Sequence, residues 1–136
     1  MRNAFNRVRL RSIGVEEEIY GAEGGLLASS QFAKTLGLRS RQSVSSYRQT
    51  KKIFALSKRG RYFLYPAWQV HKGTLLPWLA ETLSILETKK VPPMAVALFF
   101  LTPAAALDGS RPLDLLRRGK HEEVVQHAER YGEMGA

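Results

Sequence analysis

Apolar and polar positions after residue 30 follow a helical period. Phe32 and Val44 each fall on the apolar side of a short amphipathic segment, and the pattern predicts helices over residues 31–36 and 41–52. Gly37 lies between them, where a left-handed residue commonly ends a helix. Two short helices joined by so tight a turn are typical of the helix-turn-helix arrangement.

The pattern then changes to short apolar and aromatic runs. Residues 53–56 and 62–65 flank a polar stretch in which Gly60 suits a tight turn, which predicts a β-hairpin. Helix, turn, helix and hairpin is the order of a winged-helix or MerR-like DNA-binding module. The aromatic residues here could stack on single-stranded nucleic acid, but hairpin aromatics more often belong to the core, and alternation along a strand would bury at least half of them. They are Tyr62, Phe63, Tyr65 and Trp68.

The rest of the chain is predicted to be helical. Leucines at three- and four-residue spacing begin at Leu75, and Pro93 and Pro112 suit first turns of later helices. We therefore expect a mainly α protein in three parts. Residues 1–25 form a basic arm and linker, residues 26–72 a helix-turn-helix-like module with a hairpin wing, and residues 73–136 a small helical domain for a partner or for dimerisation.

Charge separates the two larger parts. The net charge is +9, but residues 1–72 hold fourteen basic and four acidic residues, whereas residues 73–136 hold seven and eight. A solvated basic face without a ligand is the plainer interpretation. An excess confined to one part of a chain is more typical of a surface that binds a polyanion.

Within that basic part, the second predicted helix and the hairpin carry the candidate DNA contacts. Arg41, Ser45 and Arg48 recur at four- and three-residue steps, and such a helix face fits the major groove, where Arg pairs with guanine and Gln with adenine. The hairpin tip would contact phosphates or the minor groove. The full set of candidates is Arg39, Ser40, Arg41, Gln42, Ser45, Arg48, Lys51, Lys52, Lys58, Arg59 and Arg61.

Catalysis, metal binding and membrane insertion find little support in the sequence. The chain has no cysteine, which fits a reducing cytoplasm. His121 and His127 are six residues apart, so on a helix they point about 240° apart and cannot share one metal ion. The uncharged run over residues 91–107 is shorter than the ~20 residues of a membrane-spanning helix and contains three prolines. We expect a cytoplasmic protein that is not an enzyme and has no cofactor.

Three segments resemble one family. FAKTLGLRSRQSV (residues 32–44), YPAWQ (65–69) and PLDLLRRG (112–119) are similar to the Xre/MbcA/ParS group of bacterial antitoxins, and the resemblance extends over about residues 26–131. It implies an N-terminal DNA-binding module and a C-terminal toxin-binding helical domain. It also implies a RES-domain toxin that consumes NAD as the partner, homodimers, and repression of the protein's own operon through duplex DNA.

The resemblance also places the toxin contacts. By position they are Pro112, Leu113, Leu116, Arg117, Arg118, Gly119, Arg130 and Tyr131, although Pro112, Leu113 and Gly119 also suit purely structural roles in a helix and its ends. Two other functions stay open: a stand-alone transcriptional regulator of the same architecture, and an RNA-binding basic protein. A further alternative is that the back part serves only for dimerisation.

Overall fold

A computed structural model describes residues 18–19 and 21–133 of the chain. The predicted basic arm over the first residues lies outside this part, as do the last three residues. The described chain is mainly helical with a small β component, as the sequence predicted. The helices are α1 (Ser29–Thr35), α2 (Arg41–Gln49), α3 (Leu79–Thr88), α4 (Pro93–Leu101), α5 (Pro112–Arg117) and α6 (His121–Glu129).

Short antiparallel strands accompany the first two helices. In the three-stranded sheet, the strand over residues 62–66 is central and pairs with the other two. Leu27 faces Tyr65 on one side of it, and Ser57 faces Phe63 on the other. A separate two-stranded ribbon follows. The strands are β1 (Leu26–Leu27), β2 (Leu56–Lys58), β3 (Tyr62–Pro66), β4 (Val70–His71) and β5 (Thr74–Leu75).

Helix α2 ends three residues earlier than predicted. Lys51 adopts a positive φ of 61°, and the next N–H, that of Lys52, donates to the carbonyl of Tyr47 at 2.9 Å. The backbone N–H of Lys51 donates to the carbonyl of Arg48 at 3.1 Å, and the two bonds together form a Schellman motif. Gly37 ends α1 in the same way, as the sequence indicated, but at Lys51 no glycine marks the end.

The predicted hairpin is present, but its first strand begins at Leu56 rather than at residue 53. The backbone of Phe54 is bonded by a side chain instead of a strand. Its N–H donates to Oε1 of the buried Gln69 at 2.5 Å, and its carbonyl accepts from Nε2 of the same residue at 2.8 Å. Pairing with β3 therefore starts only beyond this residue. At the tip, Arg59 and Gly60 both have positive φ, which allows the tight reversal.

One continuous core runs through both predicted modules. Trp68 is fully buried, and its ring lies 6.3 Å from that of Phe54 and 4.9 Å from that of Phe100 in α4. The ribbon of β4 and β5 spans the predicted boundary between residues 72 and 73. The division into two domains stays a prediction, and the core that supports the front part includes side chains of the back part.

Candidate nucleic-acid interface and a C-terminal cleft

Helix α2 packs on the core through one side and leaves the other in solvent. Val44 is fully buried, whereas Arg41, Gln42 and Gln49 are exposed. Gln42 and Gln49 are seven residues apart, so they share a side of the helix. Ser45 is half-buried at the edge of this side. Gln49 was missed in the sequence analysis, and its spacing from Gln42 was the signal that could have found it.

Arg48 is seven residues from Arg41 and lies on the same side of the helix, but its side chain is only half-exposed because it turns toward the hairpin. Its guanidinium carbon is 3.8 Å from the centre of the Phe63 ring in β3, and its Nε is buried without a hydrogen-bond partner among the described residues. A guanidinium stacked on an aromatic face is stabilised by the negative ring face. Arg48 therefore joins α2 to the hairpin, and the predicted row of Arg41, Ser45 and Arg48 is only partly open to solvent.

The end of α2 meets the end of α3. Lys51 forms an exposed ion pair with Glu87, and Lys52 has its ammonium 5.8 Å from the Tyr47 ring. Two exposed lysines, Lys89 and Lys90, follow Glu87 closely in the sequence. Both belong to the back part of the chain, in which basic and acidic residues nearly balance.

The other predicted DNA contacts are accessible. Arg39 and Ser40 are exposed in the turn before α2, and Arg59 and Arg61 are exposed at the hairpin tip, with Lys58 half-buried beside them. No acidic residue occurs anywhere from residue 24 to residue 80. We call the exposed side chains of this surface the basic face. Its members are Arg39, Ser40, Arg41, Gln42, Gln49, Lys52, Arg59 and Arg61.

The aromatic residues of the hairpin divide between core and surface. Tyr65 and Trp68 are buried, and the Tyr65 ring stacks on Phe32 of α1 with centroids 5.1 Å apart. Phe63 is half-buried beneath Arg48, and Tyr62 is 52% exposed. The expectation that at least half of them belong to the core is confirmed by Tyr65 and Trp68. Of the four, Tyr62 is the one that offers an open ring.

Several residues predicted to bind a toxin serve the fold. Pro112, Leu113 and Leu116 are buried, because the spacing of these apolar residues turns them into the core from the short helix α5. A partner cannot reach the two leucine side chains in this conformation. Arg118 and Gly119 are exposed in the turn between α5 and α6.

Arg117 belongs to an ion-pair cluster that ties the start of the described chain to α5. Glu23 accepts from Arg111 at 2.8 Å and from Arg117 at 3.1 Å. Asp114 accepts from Arg111 through both oxygens at 2.8 Å. The hydrogen bond from Arg111 is the main reason that the pKa of Glu23 and that of Asp114 lie below their usual values. The same bonds raise the pKa of Arg111.

An open apolar cleft of about 680 Å³ lies between the ends of α4 and α6. Its lining includes Leu98 and Tyr131, which are 40% and 37% exposed. Arg130 lies at its edge, and His127 stacks on Phe99 with ring centroids 5.2 Å apart. Burial lowers the pKa of His127, so the ring favours its neutral form. We call this surface the C-terminal cleft; Arg130 and Tyr131 are the predicted toxin contacts that line it.

The described residues contain neither a candidate metal-binding cluster nor a helix that could span a membrane. Within residues 18–19 and 21–133 no group of three or more His, Asp or Glu side chains could hold a metal ion. No helix in the same part of the chain has the length and hydrophobicity needed to cross a bilayer.

Comparison with known proteins gives a fold but no family. No protein-family model matches the sequence, and no curated protein matches it. A solved structure described as the NMR structure of Rv2175c is similar, with a TM-score of 0.64 and 22% sequence identity. The match covers 79% of this chain and 81% of that chain. At this identity the likeness concerns the fold alone.

Proposed function

We propose that this chain is a DNA-binding antitoxin: it binds duplex DNA at its own operator and neutralises a RES-domain toxin that consumes NAD. In this proposal it acts in the cytoplasm as a homodimer, needs no cofactor and has no catalytic activity. The observation that carries the proposal is the basic face. A short helix with a polar outer side lies next to a hairpin with a basic tip, within fifty-seven consecutive residues that contain no acid.

The proposed DNA contacts follow from this arrangement. Helices α1 and α2 with the hairpin would form a winged helix-turn-helix in which α2 enters the major groove. Arg41, Gln42 and Gln49 face outward from α2 and have the hydrogen-bonding groups that read guanine and adenine edges. Arg59 and Arg61 are exposed at the hairpin tip, where they would contact phosphates or the adjacent minor groove.

The proposed toxin contact is the C-terminal cleft. Exposed Leu98 and Tyr131 would be the apolar anchors, and Arg130 the charged one. Tyrosine and arginine are enriched among the residues that contribute most to protein interfaces. The resemblance of residues 112–119 to the antitoxin group supports the assignment of this end to a toxin. Leu113 and Leu116 are buried and would not contact the partner.

Arg41→Ala tests the DNA half of the proposal. The probe is a duplex of the region upstream of the protein's own gene, with binding followed by fluorescence anisotropy. We expect affinity to fall about 5- to 150-fold, the effect of removing one base contact, with an unchanged melting temperature. Lys120→Ala is the matched control, because Lys120 is an exposed cation in the turn before α6. Equal affinity of both variants and wild type would contradict the assignment of α2. Tighter binding of single-stranded RNA than of the duplex would favour the RNA-binding alternative.

Co-expression with the neighbouring open reading frame tests the toxin half. We expect that the neighbour alone lowers cellular NAD and stops growth, and that this chain co-purifies with it and restores both. Tyr131→Ala combined with Leu98→Ser should abolish the rescue but leave duplex binding intact. A harmless neighbour that does not co-purify would favour the stand-alone regulator.

A further inference from the structure

A second cleft lies at the joint between the front and back parts of the chain. It has a volume of about 260 Å³ and is bounded by the end of α2, the segment before β2, and helices α3 and α4. Its floor is apolar and formed by buried side chains, among them Phe54, Leu83 and Val96. This size is near the low end for small-molecule sites and leaves room for a one- or two-ring molecule.

The polar groups of this joint cleft are few and mostly cationic. Arg48 and Lys51 line it from α2, and Glu87 lines it from α3. Lys51 and Glu87 pair with each other in solvent at the rim. Arg48 has no acidic partner in the described chain, and its Nε is shielded from water without a hydrogen bond. The rim thus carries one uncompensated positive charge.

The Arg48 guanidinium is held in place by its surroundings. Stacking on Phe63 at 3.8 Å fixes the plane of the group, so little side-chain freedom remains to be lost when a ligand binds. A planar guanidinium with free N–H groups matches the geometry of a carboxylate, which accepts two parallel hydrogen bonds from it. The first residue of α4, Pro93, also lines the cleft, and the positive end of that helix contributes the same sign of potential.

We propose that the joint cleft binds a small aromatic carboxylate. The ring would lie on the floor of Phe54, Leu83 and Val96, and the carboxylate would pair with Arg48. The inference does not depend on the proposed DNA or toxin binding, because both its argument and its test concern the ligand alone.

Binding of 2-naphthoate to the full chain tests the proposal, with 2-naphthamide as the neutral probe of the same shape. We expect saturable binding of the carboxylate by titration calorimetry, and amide shifts in NMR spectra confined to the residues that line the cleft. The neutral amide should bind at least ~10-fold more weakly, because it cannot form the charged pair. Equal affinity for both probes, or no saturable binding, would overturn the proposal.

Three variants test whether the ligand binds in the joint cleft. Arg48→Met keeps an apolar stem over Phe63 but removes the charge, and we expect it to weaken 2-naphthoate binding at least ~10-fold. Ala55→Leu fills the cleft from the side of the chain before β2 and should reduce binding without touching a charge. Glu87→Gln removes the acid at the rim and should raise the affinity for 2-naphthoate. Unchanged binding in Arg48→Met and Ala55→Leu, both with wild-type melting temperatures, would show that the ligand is bound elsewhere.

Discussion

The surfaces of the two parts of the chain differ far more than their interiors. On α2 and the hairpin, every charged side chain is basic, and polar groups on α2 face solvent without a partner from the same region. Around α5, acids and bases compensate one another, and Glu23 and Asp114 bind two arginines. A surface of unmatched like charges raises the free energy of the folded chain, so it suggests a ligand of opposite sign in one region and not in the other.

Beneath these surfaces the interiors are continuous. Trp68, which follows the hairpin, packs between Phe54 of the front part and Phe100 of the back part. The difference between the regions therefore concerns what each surface binds. It does not imply that each folds alone, and the predictions below test this distinction from the largest expected effect to the smallest.

Trp68→Ala should have the largest effect on stability. The side chain is fully buried at the junction, and removing it leaves a large cavity, so we expect the free energy of unfolding to fall by about 3–5 kcal/mol. Urea unfolding followed by circular dichroism measures the change. Trp78→Ala is the control, since that ring is 43% exposed and stacks only on His121 in the described chain; its cost should be much smaller. Two separate unfolding transitions in the wild type would contradict a shared core.

Gln69→Leu should have the next largest effect and lower the free energy of unfolding by about 2–4 kcal/mol. Its buried amide holds both backbone groups of Phe54, and its Nε2 also donates to the carbonyl of Pro66 at 3.2 Å. Leucine has a similar volume but leaves the N–H and carbonyl of Phe54 buried without partners. The same urea experiment checks the loss, with Gln126→Leu on the exposed side of α6 as the control. A cost below about 1 kcal/mol, less than one unsatisfied buried group should cause, would mean that these bonds do not position the segment before β2.

Glu23→Gln should cost less, about 1–2 kcal/mol at pH 7, since the cluster is partly open to water. The folded-state pKa of Glu23 is lowered, so its contribution is fully present above the unfolded value, about 4.3, and is lost as the pH falls through the folded-state pKa. Thermal unfolding between pH 7 and pH 3 should therefore show a smaller gap between wild type and variant at low pH. Glu129→Gln, an exposed acid at the end of α6, serves as the control. A difference in melting temperature between wild type and variant that does not change with pH would contradict a stabilising role of these ion pairs.

Local signals in the sequence predicted much of the fold. Gly37, Gly60 and Pro93 stand at the helix end, the hairpin tip and the helix start where they were expected, because each has a backbone preference that short-range sequence expresses directly. The burial of Val44 followed in the same way from its spacing. The predicted end of α2 was wrong, because Lys51 adopts a left-handed conformation that its residue type does not indicate.

Long-range contacts account for most of what the sequence did not indicate about the candidate sites. Glu23 binds Arg111 and Arg117 across 88 and 94 residues, and no local pattern marks such a pair. The stacking of Arg48 on Phe63 likewise depends on how the hairpin folds back on α2. The burial of Leu113 and Leu116 was predictable from their three-residue spacing, but the resemblance to the antitoxin group placed them among the contacts instead.

The salt dependence of duplex binding tests the central claim, that the basic face binds DNA, most directly. We would compare the wild type with a variant in which Arg41, Arg59 and Arg61 are changed to Gln, and with a control in which Arg118, Lys120 and Arg130 are changed to Gln. We predict that affinity for the upstream duplex falls steeply with salt for wild type and control. The variant of Arg41, Arg59 and Arg61 should bind more weakly. Its slope of log affinity against log salt concentration should be smaller in magnitude by about 0.9 for each phosphate that it no longer neutralises. The same slope and affinity in all three proteins would contradict the claim.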